Sequence, residues 1–149
     1  FSMAHGKNDM LWTATKTCKQ VGVKNFVAVC PIEYDMYTTD STLKDSIKLW
    51  TEAEADALKN FPTMTLLRPN LVFGDYTYFM RYLEQSAIVG NVPESIVSPS
   101  DPTKYHPIHE EDLYKVVMEC LNNSKHHGQT YSVNGADNAT LVQIMEYIK

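Results

Sequence analysis

The stretch LLRPNLVFGD, residues 66–75, decides how the rest of the chain is read. An apolar run ends in Arg68-Pro69, and a second apolar group, Leu71-Val72-Phe73, ends at Gly74. Proline has no N–H, so a central strand continuing through position 69 would lose a ladder bond there. Gly74 supplies the backbone freedom of a turn. α/β folds place ligand sites where strands run out into shaped loops, at the carboxyl ends of a parallel sheet. The stretch therefore predicts a strand over 63–69 and a loop that faces a ligand.

Working outward, the segments alternate. NDMLWTATKTCKQVG (8–22) puts Leu11, Ala14, Cys18 and Val21 at helical spacing, with Asn8 or Asp9 as cap and Gly22 as stop. KNFVAVCPI (24–32) is apolar without alternation, as a parallel strand covered on both faces would be. The polar loop 33–42 leads into a helix over 41–61, capped by Ser41 or Thr42, with Ile47, Trp50, Glu54 and Leu58 marking its faces. After the strand at 63–69, residues 77–88 have helical character, and 94–109 look extended and irregular. HEEDLYKVVMECLNN (109–123) predicts a helix with Leu113, Val116, Val117 and Cys120 inward and acids at its N-terminus, where the dipole favours them. GQTYSVNG (128–135) is a short strand, and Thr140 caps a last helix over 141–148. Strand and helix in turn imply a parallel sheet with helices on both faces. The expectation is one α/β domain over residues 1–149, a partial Rossmann-like sheet lacking its first strands and Gly-rich turn.

Composition narrows the function classes. The 149 residues are 44% hydrophobic and 21% charged, ordinary for a globular domain. A net charge of −5 with no basic stripe argues against nucleic acid as a partner. Cys18, Cys30 and Cys120 are scattered, with no pair at metal-ligand spacing, so packing thiols are expected. The apolar runs are too short to span a bilayer. His106 and His109 precede a helix, and His126-His127 follow one, so they do not assemble the convergent ligands that zinc needs. No metal site is expected. Glu52 and Glu54 read as a solvated helix face rather than a catalytic pair, and Trp50 as a core or interface anchor.

VGVKNFVAV, FPTMTLLRPNLVFG, HPIHEEDLYKVV and GQTYSVNG together resemble the later half of an extended or atypical short-chain dehydrogenase/reductase. The resemblance runs from Phe1 to the last helix; Arg68-Pro69 with Val72-Phe73-Gly74 is its most specific piece, and Asp112 matches the aspartate that opens the helix there. It implies a Rossmann fold, with Ala4, His5, Pro69, Asn70, Leu71 and Val72 on the cofactor side. Phe61-Pro62 and the spacing are most similar to the atypical branch that serves as an accessory subunit of mitochondrial respiratory complex I. That branch holds NADPH as a structural element, and the resemblance implies a place on the matrix side of the inner membrane, in the respiratory electron-transport chain.

The departures from the family pattern matter as much. None of the six glycines forms a GxxGxxG turn, and FSMAHG (1–6) corresponds to the family's fourth strand. NADP(H) binding is therefore expected only with a complementing N-terminal half, on a second polypeptide or in a longer chain. Working members place a hydroxyl after the fifth strand, where Cys30-Pro31 stand, and a Tyr-x-x-x-Lys pair on the next helix. The ungapped register puts Ser46 and Trp50 at those two places; a shift of two recovers Lys48 but puts Lys44 for tyrosine. Tyr34 and Tyr37 lie in the loop before that helix. No catalytic residue is assigned. The expected function is a non-catalytic accessory or assembly subunit held by other protein subunits, including one that supplies the missing half. The alternatives are an NAD(P)-dependent epimerase or reductase made of two chains or seen in part, and an NmrA-like dinucleotide-sensing binder.

Overall fold

The computed structural model describes residues 9–30, 41–75, 77, 81, 85 and 103–148. The elements are α1 (Asp9–Gln20), β1 (Val27–Val29), α2 (Ser41–Asn60), β2 (Thr65–Pro69), β3 (Val72–Phe73), β4 (Ile108–His109), α3 (Glu110–Asn122), a 3-10 turn (Ser124–His126), β5 (Thr130–Val133) and α4 (Leu141–Ile148). This is a Rossmann-like parallel sheet with flanking helices. One three-stranded sheet has the order β1-β2-β5, and β3 with β4 forms a two-stranded one. The chain divides into two compact units: residues 1–68 with 117–131, and residues 69–116 with 132–149.

In the first unit, Val27, Ala28 and Val29 pair in parallel with Thr65, Leu66 and Leu67. The ladder goes on beyond β1 through the Cys30 N–H, which donates to the Leu67 carbonyl (2.9 Å). α1 packs against α2. Ala28, Cys30, Ala57, Phe61, Met64 and Leu66 form the core, with Leu11, Cys18, Phe26 and Leu58 packed against it. Met64, Leu66 and Leu67 are 0% exposed, each worth about 1.5–3 kcal/mol of burial.

Three expectations are corrected here. Val21 lies past the end of α1 and is exposed; the buried member of that face is Thr15, whose hydroxyl donates back to the Leu11 and Trp12 carbonyls. The run 24–32 contributes a strand only over Val27–Val29, and Val29 is 50% exposed, so β1 is not covered on both faces. Glu54 is not solvated at all: it is 2% exposed. The inward set on α3 is as the spacing implied, with Leu113, Val116 and Val117 half-buried and Cys120 buried.

In the second unit, Val72 and Phe73 pair in parallel with Ile108 and His109. Asn70 organises the approach to this pairing. Its buried side-chain oxygen accepts from the Leu71 N–H (2.8 Å) and the His106 N–H (3.2 Å), while its own N–H donates to the Val133 carbonyl. A further bridge joins Tyr105 and Ala139. Of the expected helix over 77–88 only Thr77, Arg81 and Gln85 are described, Arg81 and Gln85 as helical, with the Arg81 N–H donating to the Thr77 carbonyl (3.2 Å); its other residues and most of the irregular run over 94–109 lie outside the described residues.

Candidate functional site

β2 ends at Pro69, which has no N–H to donate, and the chain turns into β3 through Asn70, whose N–H still donates to the Val133 carbonyl of β5. At the far end of β3 Gly74 takes φ 150°, a conformation L side chains rarely adopt, and a Cβ there would run into the Glu110 side chain. The loop foreseen in LLRPNLVFGD is thus a strand stop, a short second strand and a glycine turn.

A cavity of about 620 Å³ opens beside this loop, within the second unit. Leu71, Phe73, Pro107, Ile108, Ala139 and Ile144 make its apolar walls. The loop 134–138 closes one side, and it sits that close because position 135 has no side chain. A Cβ on Gly135 would overlap the Pro107 carbonyl oxygen, and the Gly135 N–H donates to the His106 carbonyl (3.2 Å). His109 packs edge-on against Phe73 with ring centroids 5.1 Å apart. Its Nδ1 accepts from the Glu111 N–H (3.3 Å).

Among the described residues two carboxylates, Asp112 and Asp137, belong to the lining, and no lysine or arginine does. The Asp112 carboxyl is held below its ordinary value by the hydrogen bond from the Lys115 ammonium (2.7 Å) and by the charge of that group. Both helix N-termini at the cavity have partners of their own chain. Glu110, Glu111 and Asp112 fill the first turn of α3. At α4, Thr140 and Gln143 form a reciprocal capping box: the Gln143 side chain accepts from the Thr140 N–H (2.9 Å), and the Thr140 hydroxyl accepts from the Gln143 N–H (3.2 Å).

A second cluster lies in the first unit, where Cys30, Glu54 and Arg68 meet. Arg68 pairs with Glu54, as its position at a strand exit allowed. The buried Cys30 thiol is pushed up to about 12, first by desolvation and then by the neighbouring Glu54 carboxylate, with Arg68 pulling the other way. A thiol so placed stays protonated and inert, a packing residue. The pair ties α2 to β2, and Trp50, one turn before Glu54, is half-buried.

Of the residues expected on the cofactor side, Ala4 and His5 lie outside the described residues. Pro69 and Asn70 are buried, Val72 is in the β3–β4 pairing, and Leu71 lines the cavity. Spacing did not single out Gly135, Asp137, Gln143 or Ile144. The Thr140-x-x-Gln143 box and the Asn134-Gly135 pair were the available signals. Among the described residues no group of three metal-ligating side chains converges, and no helix is long and apolar enough to cross a membrane.

By sequence the chain matches no family model and no curated protein. By structure it is similar to MoeE5, solved with UDP-glucuronic acid and NAD, at TM-score 0.68 and 14% identity over 93% of this chain and 51% of that one. It is similar also to WbmG of Bordetella bronchiseptica, solved with NAD (0.65, 13%, 99% of this chain and 53% of that one). A third is the UDP-N-acetylglucosamine 4-epimerase of Methanobrevibacter ruminantium M1 (0.57, 14%, 94% and 50%). The chain shares with these proteins a Rossmann-like parallel sheet with flanking helices, and it spans about half their length. The described residues do not by themselves fit a dinucleotide. The carboxylates at the cavity repel a pyrophosphate, and no glycine array offers it backbone N–H groups.

Proposed function

We propose that the chain is the later half of a catalytically silent domain with the extended short-chain dehydrogenase/reductase fold, acting as an accessory or assembly part of a larger complex. The observation that carries this reading is α2. It runs unbroken from Ser41 to Asn60 and is locked in register to β2 by the Glu54–Arg68 pair. On the family pattern the acid–base tyrosine and its lysine stand on this helix, yet it contains no tyrosine: the ungapped register puts Ser46 and Trp50 at the two places, and the register that recovers Lys48 puts Lys44 for the tyrosine. A tryptophan has no proton to exchange at neutral pH and no charge to lower a neighbour's pKa. The sequence resemblance supports mitochondrial respiratory complex I as the complex, on the matrix side, with other subunits as partners. NADP(H) enters this reading only through a complementing half, which would supply the pyrophosphate site, while Pro69 to Val72 face the nicotinamide.

A second reading is favoured by the structural neighbours: an NAD-dependent epimerase or dehydratase of which this chain is one part. It needs a tyrosine–lysine pair from the other part, or from Tyr34 or Tyr37. Native purification from the source, with mass spectrometry of co-migrating proteins, separates the two. Respiratory-chain subunits are expected to dominate. Recovery with a single soluble Rossmann half, together with turnover of a UDP-sugar in the presence of NAD, overturns the accessory reading.

A further inference from the structure

The cavity of the second unit is unsuited to anions in three independent ways. Among the described residues its lining carries two carboxylates, the His109 imidazole and no lysine or arginine. The first turn of α3, the nearest source of positive backbone potential, already holds Glu110, Glu111 and Asp112. At the start of α4 the Thr140 and Gln143 N–H groups are engaged by the capping box. Sites for phosphate use arginine, lysine or open helix N-termini. Among the described residues this lining has neither arginine nor lysine, and both helix starts carry partners of their own.

We propose that the cavity is a binding site for a small apolar amine: a flat hydrocarbon or aromatic body carrying an ammonium group. Its volume, about 620 Å³, lies within the range of small-molecule sites, which combine apolar walls with a few placed polar groups. The body fits against Leu71, Phe73, Ile108 and Ile144. The ammonium is matched by Asp137 in the closing loop and by Asp112 at the start of α3. Asp112 also accepts from Lys115, a 70% exposed side chain, so it shares its charge and Asp137 carries more of the selectivity. Gly135 is the device that makes the site, because it lets the loop bearing Asp137 lie against the 105–108 segment. The proposal does not rest on the accessory-subunit reading and involves no dinucleotide.

The test is calorimetric titration of the full chain with three probes: naphthylethylamine, its carboxylate counterpart naphthylacetate, and UDP-glucose. The amine is expected to bind one to one, roughly tenfold more tightly than the carboxylate at low salt, with UDP-glucose neither binding nor displacing it. Asp137 is exposed, so Asp137→Asn and Asp137→Lys leave the fold intact. The first narrows the amine preference roughly fivefold, and the second reverses it. Ile144→Trp, which fills the cavity, abolishes binding of the amine. Equal affinity for amine and carboxylate, displacement of the amine by UDP-glucose, an Asp137→Lys variant that keeps the original preference, or no amine binding at all overturns the proposal. Loss of complex co-purification would leave these titrations unchanged, so the two readings fail separately.

Discussion

Two parallel pairings stand on either side of Pro69-Asn70, and they are finished to different standards. In the β1–β2 pairing Leu66 and Leu67 are wholly buried, and the strand is held to α2 by a buried ion pair. In the β3–β4 pairing Val72 and Phe73 are only half-buried, and Phe73, packed edge-on against His109, also lines the cavity. Ten consecutive residues thus serve first as scaffold and then as wall. The difference follows from what each side must do: a scaffold strand gains from complete packing, whereas a wall must leave volume for something else.

The contrast predicts where substitution hurts. Glu54→Ala removes a buried carboxylate that ties α2 to the half-buried Arg68 guanidinium, so the expected loss is the largest, about 3–5 kcal/mol. Urea denaturation measures it. The double variant Glu54→Leu with Arg68→Met should recover much of that loss, because apolar side chains of similar volume can replace a buried ion pair at little cost. A single variant that unfolds no more easily than the parent would show that Glu54 is not the buried tie described above.

Next comes the strand itself. Leu66→Ala removes a fully buried side chain and should cost about 2–5 kcal/mol. Phe73→Ala, although it deletes more atoms, should cost less, because one side of that ring already meets open volume. The same denaturation series compares them. Equal losses at the two positions would erase the distinction between scaffold and wall. Gly135→Ala should cost about 1–3 kcal/mol as the 134–138 loop is forced off the Pro107 carbonyl. It should also change the environment of His106 and Ile108 in amide NMR spectra while leaving Leu66 and Leu67 undisturbed.

The two regions were not equally legible from sequence. β2, its stop at Pro69, the long helix before it and the inward face of α3 follow from local patterns: a proline, a glycine and a period of 3.6. Glu54, by contrast, reads as part of a solvated helix face. A lone glutamate on a helix looks exposed until the strand that carries its arginine is laid against it. Val29 failed in the reverse sense, since an apolar run cannot say which of its faces is covered. The cavity was the least legible feature. It forms where residues 71–73, 107–112 and 134–144 converge, and no periodicity joins segments so far apart.

The smallest effect concerns the point where wall meets solvent. Asp112 and Lys115 form a fully exposed pair one turn apart on α3, and the Asp112 carboxyl is lowered first by the hydrogen bond from Lys115 and then by its charge. A carboxyl whose folded value lies below its ordinary one stabilises the fold above the ordinary value, about pH 3.9. That contribution disappears as the pH falls through the lower folded value. Lys115, raised by the same bond, acts in the opposite window: its contribution is present below the ordinary lysine value and is lost as the pH rises through the higher folded one. Between the two windows the pair adds no pH dependence. Lys115→Gln should therefore move the Asp112 titration midpoint up toward an ordinary aspartate, followed by NMR of its side-chain carboxyl carbon. Added salt should move it the same way in the parent chain, since both groups lie in water. Because Asp112 also lines the cavity, the same variant leaves its carboxylate unshared and should slightly raise the affinity for an amine. An Asp112 midpoint that stays low without Lys115 would mean that the backbone at the start of α3 holds the charge, and that the wall is set by the helix rather than by the pair.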